Sequence, residues 1–120
     1  MTMKKRTTNP EFMNGVPELL ILRLLAHQEM YGYEIVQAIH RGTDEMIAVG
    51  EGVVYPVLHA LERDQALKSR RKKVNGRSRI YYSATPSGLR RFADLSGQWT
   101  DLAAAIQKML AGGRYGNAIP

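Results

Sequence analysis

Asn75-Gly76 is the dipeptide that most limits how this 120-residue chain can fold. Both residues tolerate positive φ, which a two-residue hairpin turn demands at its two central positions. The flanks agree with such a turn. Residues 67–74 lead into it, and residues 79–84, with Ile80, Tyr81 and Tyr82, leave it rich in strand-favouring types. The charge around the turn is one-sided. Residues 65–93 hold nine Lys and Arg and no Asp or Glu, and Lys72, Lys73, Arg77 and Arg79 crowd the turn itself. Like charges around a narrow turn repel one another unless a polyanion is close. The bland alternative is a solvated strand face that binds nothing.

Helical patterns surround the hairpin. Pro17 suits the first turn of a helix, and residues 18–26 are almost wholly apolar (Leu19, Leu20, Ile21, Leu22, Leu24, Leu25). A short helix apolar nearly all round must be buried or shared with another subunit. Residues 31–41 place Tyr31, Ile35 and Ile39 on one face, with Gly42 at the end. A third helix, residues 53–64, follows Gly50-Glu51-Gly52. Val54, Val57, Leu58 and Leu61 form its inward stripe, and Pro56 is expected within about its first turn. Its other face offers Val53, Tyr55 and His59. Three short helices, the third with polar and aromatic residues near its start, form a helix-turn-helix layout.

After the hairpin, Thr85 is an N-cap and Pro86 a first helical residue. The helix they open runs to Leu110. Its apolar residues fall in two series seven apart, Phe92, Trp99, Ile106 and Leu95, Leu102, Met109. Interleaved, they are the a and d positions of a heptad seam. A second copy of the same helix is the expected cover, with Leu19 and Leu22 of the first helix joining the interface.

The fold class that follows is mainly α with a small β-hairpin: a winged helix-turn-helix domain plus a long C-terminal dimerisation helix. The expected division is a basic N-terminal arm (1–12), the winged domain (13–85), the dimerisation helix (86–110) and a tail (111–120). The net charge of +6 favours a polyanionic partner.

Other chemistry finds little footing. With no cysteine, disulfides, thiolate metal sites and cysteine nucleophiles are excluded. His27, His40 and His59 lack the ligand contexts of a metal site, so no metal or cofactor is expected. Asp44, Glu45 and Glu51 have no matched base or nucleophile, and the glycines fit no phosphate-binding loop. No enzyme is expected. Residues 1–10 carry Lys4, Lys5 and Arg6 without an apolar core, and no run of ~18 apolar residues occurs. A cytoplasmic location, away from any membrane, is the expectation.

The DNA-facing set expected from these patterns is Tyr31, Gly52, Val53, Tyr55, His59, Lys72, Lys73, Asn75, Gly76, Arg77 and Arg79. The early residues of the third helix would reach base edges and the hairpin would lie along phosphates. Tyr55 reads equally as a core aromatic. Trp99, the single tryptophan, reads as interface core or as the aromatic wall of a small-molecule pocket, and the two are compatible. A protein-interaction module without DNA is the rival from another class. A small-molecule sensor or carrier acting without DNA is a third reading.

Taken jointly, Tyr31-Gly32-Tyr33-Glu34-Ile35, Tyr55-Pro56-Val57-Leu58-His59-Ala60-Leu61-Glu62, Arg79-Ile80-Tyr81-Tyr82 and Thr85-Pro86-Ser87-Gly88 resemble the PadR-type transcriptional regulators over residues 13–110. A single C-terminal helix makes the chain similar to the short members of that family. The resemblance implies a homodimeric repressor on a palindromic operator in double-stranded DNA, released in some members by a small molecule. In drug-responsive relatives a tryptophan of the last helix lines a pocket at the dimer interface, and Trp99 looks like its match, with a small aromatic effector implied. The chain departs from the usual pattern at Gln65-Ala66, where Asp/Glu-Gly is common before the strand.

Overall fold

A computed structural model describes residues 14–112. The arm expected at 1–12 and all but the first two residues of the tail expected at 111–120 lie outside the described residues. The element order is α1 (Val16–Leu25), α2 (Gly32–Gly42), α3 (Glu51–Arg63), β1 (Leu67–Val74), β2 (Arg77–Ala84) and α4 (Pro86–Leu110).

The core lies where α1, α2 and α3 meet the base of the hairpin. Ile21, Leu22 and Leu25 of α1, Ile35 and Ile39 of α2, and Val54, Leu58 and Leu61 of α3 are buried there with Leu67 and Tyr82. The α3 residues recur at spacings of four and three, which puts one stripe inward. Each fully buried Leu or Val in that stripe contributes about 1.5–3 kcal/mol of hydrophobic stabilisation. Leu22 corrects an expectation. It is 0% exposed within its own chain, so it fills this core and presents nothing to a second subunit. Leu19 is half-buried. Pro56 is also displaced from its expected place: α3 starts at Glu51, so Pro56 is its sixth residue and sits in the second turn. Pro56 has no N–H to give the carbonyl of Gly52, and both residues are exposed.

The hairpin pairs antiparallel from Leu67↔Ala84 at its base to Val74↔Arg77 at its tip. Asn75 (φ 52) and Gly76 (φ 79) both take the left-handed conformation, as a two-residue turn requires. Such a turn leaves no loop residues, so β2 begins at Arg77, two positions before the strand-rich run that marks it in the sequence. Directly opposed residues share a face, so Arg70, Lys72 and Val74 stand with Tyr81, Arg79 and Arg77. A third segment docks at the base. Met30 pairs with Tyr82 through both backbone bonds, Met30 N to Tyr82 O at 3.1 Å and Tyr82 N to Met30 O at 2.9 Å.

Between α3 and β1 the chain reverses at Gln65, whose φ is 63. Gln65 N–H donates to the Glu62 carbonyl (2.9 Å) and Ala66 N–H to the Leu61 carbonyl (2.8 Å). This is a Schellman closure, and it asks for a left-handed residue at the position Gln65 occupies. The departure noted at Gln65-Ala66 therefore falls on a left-handed position filled without glycine.

The start of α4 docks on this reversal. Thr85 Oγ1 accepts from Gly88 N (3.0 Å) and donates to the Gln65 carbonyl (2.7 Å), and Thr85 N–H donates to the Ala66 carbonyl (3.0 Å). Gly88 passes so close that a Cβ there would collide with the Ala66 carbonyl oxygen. Arg91 adds ion pairs to Glu18 (2.5 Å) and Asp64 (3.3 Å). Phe92 and Leu95 pack against the edge of the core. Beyond them every residue from 97 to 110 is exposed.

Candidate nucleic-acid interface

The exposed start of α3 and the outer half of the hairpin flank one groove of ≈740 Å³, lined by Tyr31, Tyr33, Tyr55, His59, Arg77 and Arg79 among others. Gly52, Val53 and His59 are exposed on the α3 side. Lys73, Asn75, Gly76 and Arg77 are exposed at the tip of the hairpin. Of the expected set, Tyr31, Tyr55, His59, Arg77 and Arg79 line this concavity.

Tyr55 is the exception on α3. Its ring closes onto the backbone of Gly32, where a Cβ would lie 2.5 Å from Tyr55 Cζ. Only the glycine of the Tyr-Gly-Tyr-Glu motif permits that approach. Tyr55 is half-buried: it packs against the core and also lines the groove. Tyr31 caps α2: its backbone N–H donates to Glu34 Oε1 at 3.2 Å. Its ring meets Tyr81 edge-on (centroids 5.4 Å apart, 74° between planes) and carries the Arg79 guanidinium 4.2 Å above its face. Arg79 is therefore held by a cation–π contact on the groove wall.

The hairpin cations divide into two groups. Arg70 grips Glu29 with both arms, Nε to Oε2 at 2.9 Å and a terminal guanidinium nitrogen to Oε1 at 2.6 Å. Lys72 Nζ reaches Glu29 Oε1 at 2.8 Å and lies 4.8 Å from the Tyr81 ring centroid. Hydrogen bonds from Arg70 and then Lys72 hold the Glu29 carboxyl down from its ordinary 4.5 to about 2, and Glu29 in turn raises Arg70. Lys72, expected at a phosphate, already has its charge engaged. Arg71, Lys73, Arg77 and Arg79 form no ion pair among the described residues.

Sequence reasoning did not find Glu29, Arg70, Tyr33 or Tyr81. Glu29 lies 41 positions from Arg70 in a loop with no periodicity, and no local pattern marks the pair. Tyr82, at the base of the groove, has its phenol pushed up by burial.

Trp99 stands apart from this interface. It is 46% exposed and walls a shallow cleft of ≈220 Å³ between the start of α1 and α4, with Leu19, Leu95, Gln98 and Leu102. Leu102, Ile106 and Met109 continue the exposed apolar stripe along α4. Among the described residues no three His, Cys, Asp or Glu cluster as metal ligands. No helix there is long and apolar enough to cross a membrane.

Three helices, a hairpin paired to the segment before α2, and a basic tip beside the exposed start of α3 define a winged helix-turn-helix protein with a long C-terminal helix. The profile of the transcriptional regulator PadR-like family matches residues 21–94. The chain belongs to that family. It is 38% identical over 78 residues to the transcriptional regulator Rv3488 of Mycobacterium tuberculosis, covering 65% of this chain and 70% of that one. Among solved structures it resembles a transcriptional regulator from Clostridium thermocellum, with a TM-score of 0.77, 28% identity and coverage of 85% and 97% of the two chains. A PadR-like transcriptional regulator from Bacillus cereus superposes with a TM-score of 0.75 at 26% identity, covering 85% and 98%.

Proposed function

We propose that this transcriptional regulator is a homodimeric, sequence-specific DNA-binding repressor. Residues 13–85 would form the DNA-binding domain and residues 86–110 the dimerisation helix. The observation that carries the reading is the charge at the hairpin tip. Arg71, Lys73, Arg77 and Arg79 stand without a carboxylate partner among the described residues, and Arg77 and Arg79 wall the groove beside α3. Uncompensated cations gathered on one hairpin attract a polyanion, and phosphate contacts release its counterions.

In this reading α3 enters the major groove with Gly52, Val53 and His59 toward base edges, and the wing runs along the neighbouring backbone. Tyr31 contributes by holding Arg79 at the groove wall. The α4 residues Phe92, Leu95, Trp99, Leu102, Ile106 and Met109, the last four exposed, pair two subunits together with Leu19. That pairing sets two half-sites of a palindrome about one helical turn (~34 Å) apart. Trp99 walls a pocket for a small aromatic effector that relieves repression. A cytoplasmic location fits this role.

The test is fluorescence anisotropy on the DNA upstream of the coding sequence and on random duplex, each across a salt series. Four free cations per protomer predict a slope of log K against log salt of about −7 for the dimer, at roughly −0.9 per phosphate. Exchanging Lys73 and Arg77 for Ala flattens it. A wild-type protein that fails to bind random duplex at low salt would leave the winged fold with a protein-binding role.

A further inference from the structure

We infer that Glu29 sets specificity: its carboxylate withdraws Arg70 and Lys72 from the phosphate-binding set, so that the wing grips DNA only through the cations left unpaired. The inference rests on the DNA-binding reading above and goes beyond it.

Three observations carry it. Arg70 and Lys72 lie on one face of β1, two residues apart, and both converge on the single carboxylate of Glu29. The Arg70 contact is a two-bond fork, the geometry that fixes a guanidinium most firmly. Finally, the backbone that bears Glu29 is itself immobilised. The next residue, Met30, is bonded in both directions to Tyr82 of β2. Glu29 thus meets the hairpin as a strand neighbour, and its side chain is only 24% exposed whereas that of Arg70 is 64% exposed.

The consequence is electrostatic. A cation free to meet a phosphate strengthens binding to every duplex alike, because phosphates carry no sequence information. What matters to a regulator is the ratio of operator to random affinity, since random sites vastly outnumber operators. Holding two strand cations against one carboxylate cancels one of their two charges and fixes both side chains, which lowers the indiscriminate part of binding. It leaves Arg71, Lys73, Arg77 and Arg79 as the grip, with Lys73 and Arg77 beyond the clamp.

The experiment compares salt series on random and upstream duplex for wild type, Glu29→Gln, the pair Arg70→Met with Lys72→Met, and the triple variant. Glu29→Gln keeps shape and removes charge. It should tighten random-duplex binding, steepen the salt slope by about 1–2 per protomer, and lower the ratio of upstream to random affinity. The Arg70→Met/Lys72→Met pair should leave the wild-type slope unchanged, whereas Lys73→Ala with Arg77→Ala flattens it. Adding Glu29→Gln to the Met pair should restore no steepening. An unchanged or shallower slope in Glu29→Gln overturns the inference, as does a flattened slope in the Met pair or steepening that survives in the triple variant. Wild type that binds no duplex at all defeats the DNA-binding reading instead, so the two failures are distinct.

Discussion

The ring of Tyr55 rests on Gly32 so closely that a methyl group there would stand 2.5 Å from Tyr55 Cζ. Two motif residues 23 positions apart are thereby one contact, and it fixes the start of α2 against the first half of α3.

Gly32→Ala should destabilise the protein by about 1–3 kcal/mol, the usual cost of overpacking. Combining it with Tyr55→Leu should recover part of that loss, measured as coupling in chemical denaturation. Gly88→Ala should cost more, about 3 kcal/mol, because the group it strikes is the Ala66 backbone carbonyl, which cannot swing aside.

Gln65 holds a left-handed conformation without being glycine. Gln65→Gly should stabilise the fold by about 0.5–1 kcal/mol, relief of αL strain outweighing the added chain entropy of glycine. A raised thermal midpoint with unchanged DNA affinity is the expected result. A lowered midpoint would show that the Gln65 side chain contributes more than its backbone costs.

Acid should loosen the wing. The Glu29 carboxyl is lowered from 4.5 to about 2 by its bonds to Arg70 and Lys72. A depressed carboxyl contributes stability that is fully present above the unfolded value of 4.5 and is lost as pH falls through the folded value near 2. The stability gap between wild type and Glu29→Gln should therefore be flat above about pH 5 and close across that acid window, as followed by denaturant midpoints.

The distal half of α4 should reveal its use through charge. Ile106 is 50% exposed and outside the core, so Ile106→Asp should leave the fold intact. In sedimentation equilibrium it should shift the protein toward monomer, with a red-shifted Trp99 emission. Wild type that sediments as a monomer would remove the paired-helix reading.

The sequence made the local features readable and left the distant ones hidden. Thr85-Pro86 marked the start of α4 to the residue, because a cap and a restricted φ are properties of neighbours. Asn75-Gly76 located the turn but not the first strand residue after it, since Arg77 and Ser78 pair by register and not by propensity. Leu22 was assigned outward because a helix apolar on every side does not reveal which side meets its own core. The contact of Tyr55 with the backbone of Gly32 had no local signal. Glu29 offered no signal: two cations and a carboxylate 41 and 43 positions away meet through tertiary structure alone.

The Met30–Tyr82 bridge and the Glu29 clamp stiffen the hairpin unevenly along its length. From Tyr82 to Arg77 the strand runs about 17 Å, at ~3.4 Å per residue. The clamp reaches as far as the Lys72↔Arg79 rung. Only the rungs Lys73↔Ser78 and Val74↔Arg77 and the turn extend beyond it. The wing is thus a short cantilever whose compliance is confined to its last few residues. In the DNA-binding reading, such a tip would follow local variation in groove width while the bend died out before it reached the helices.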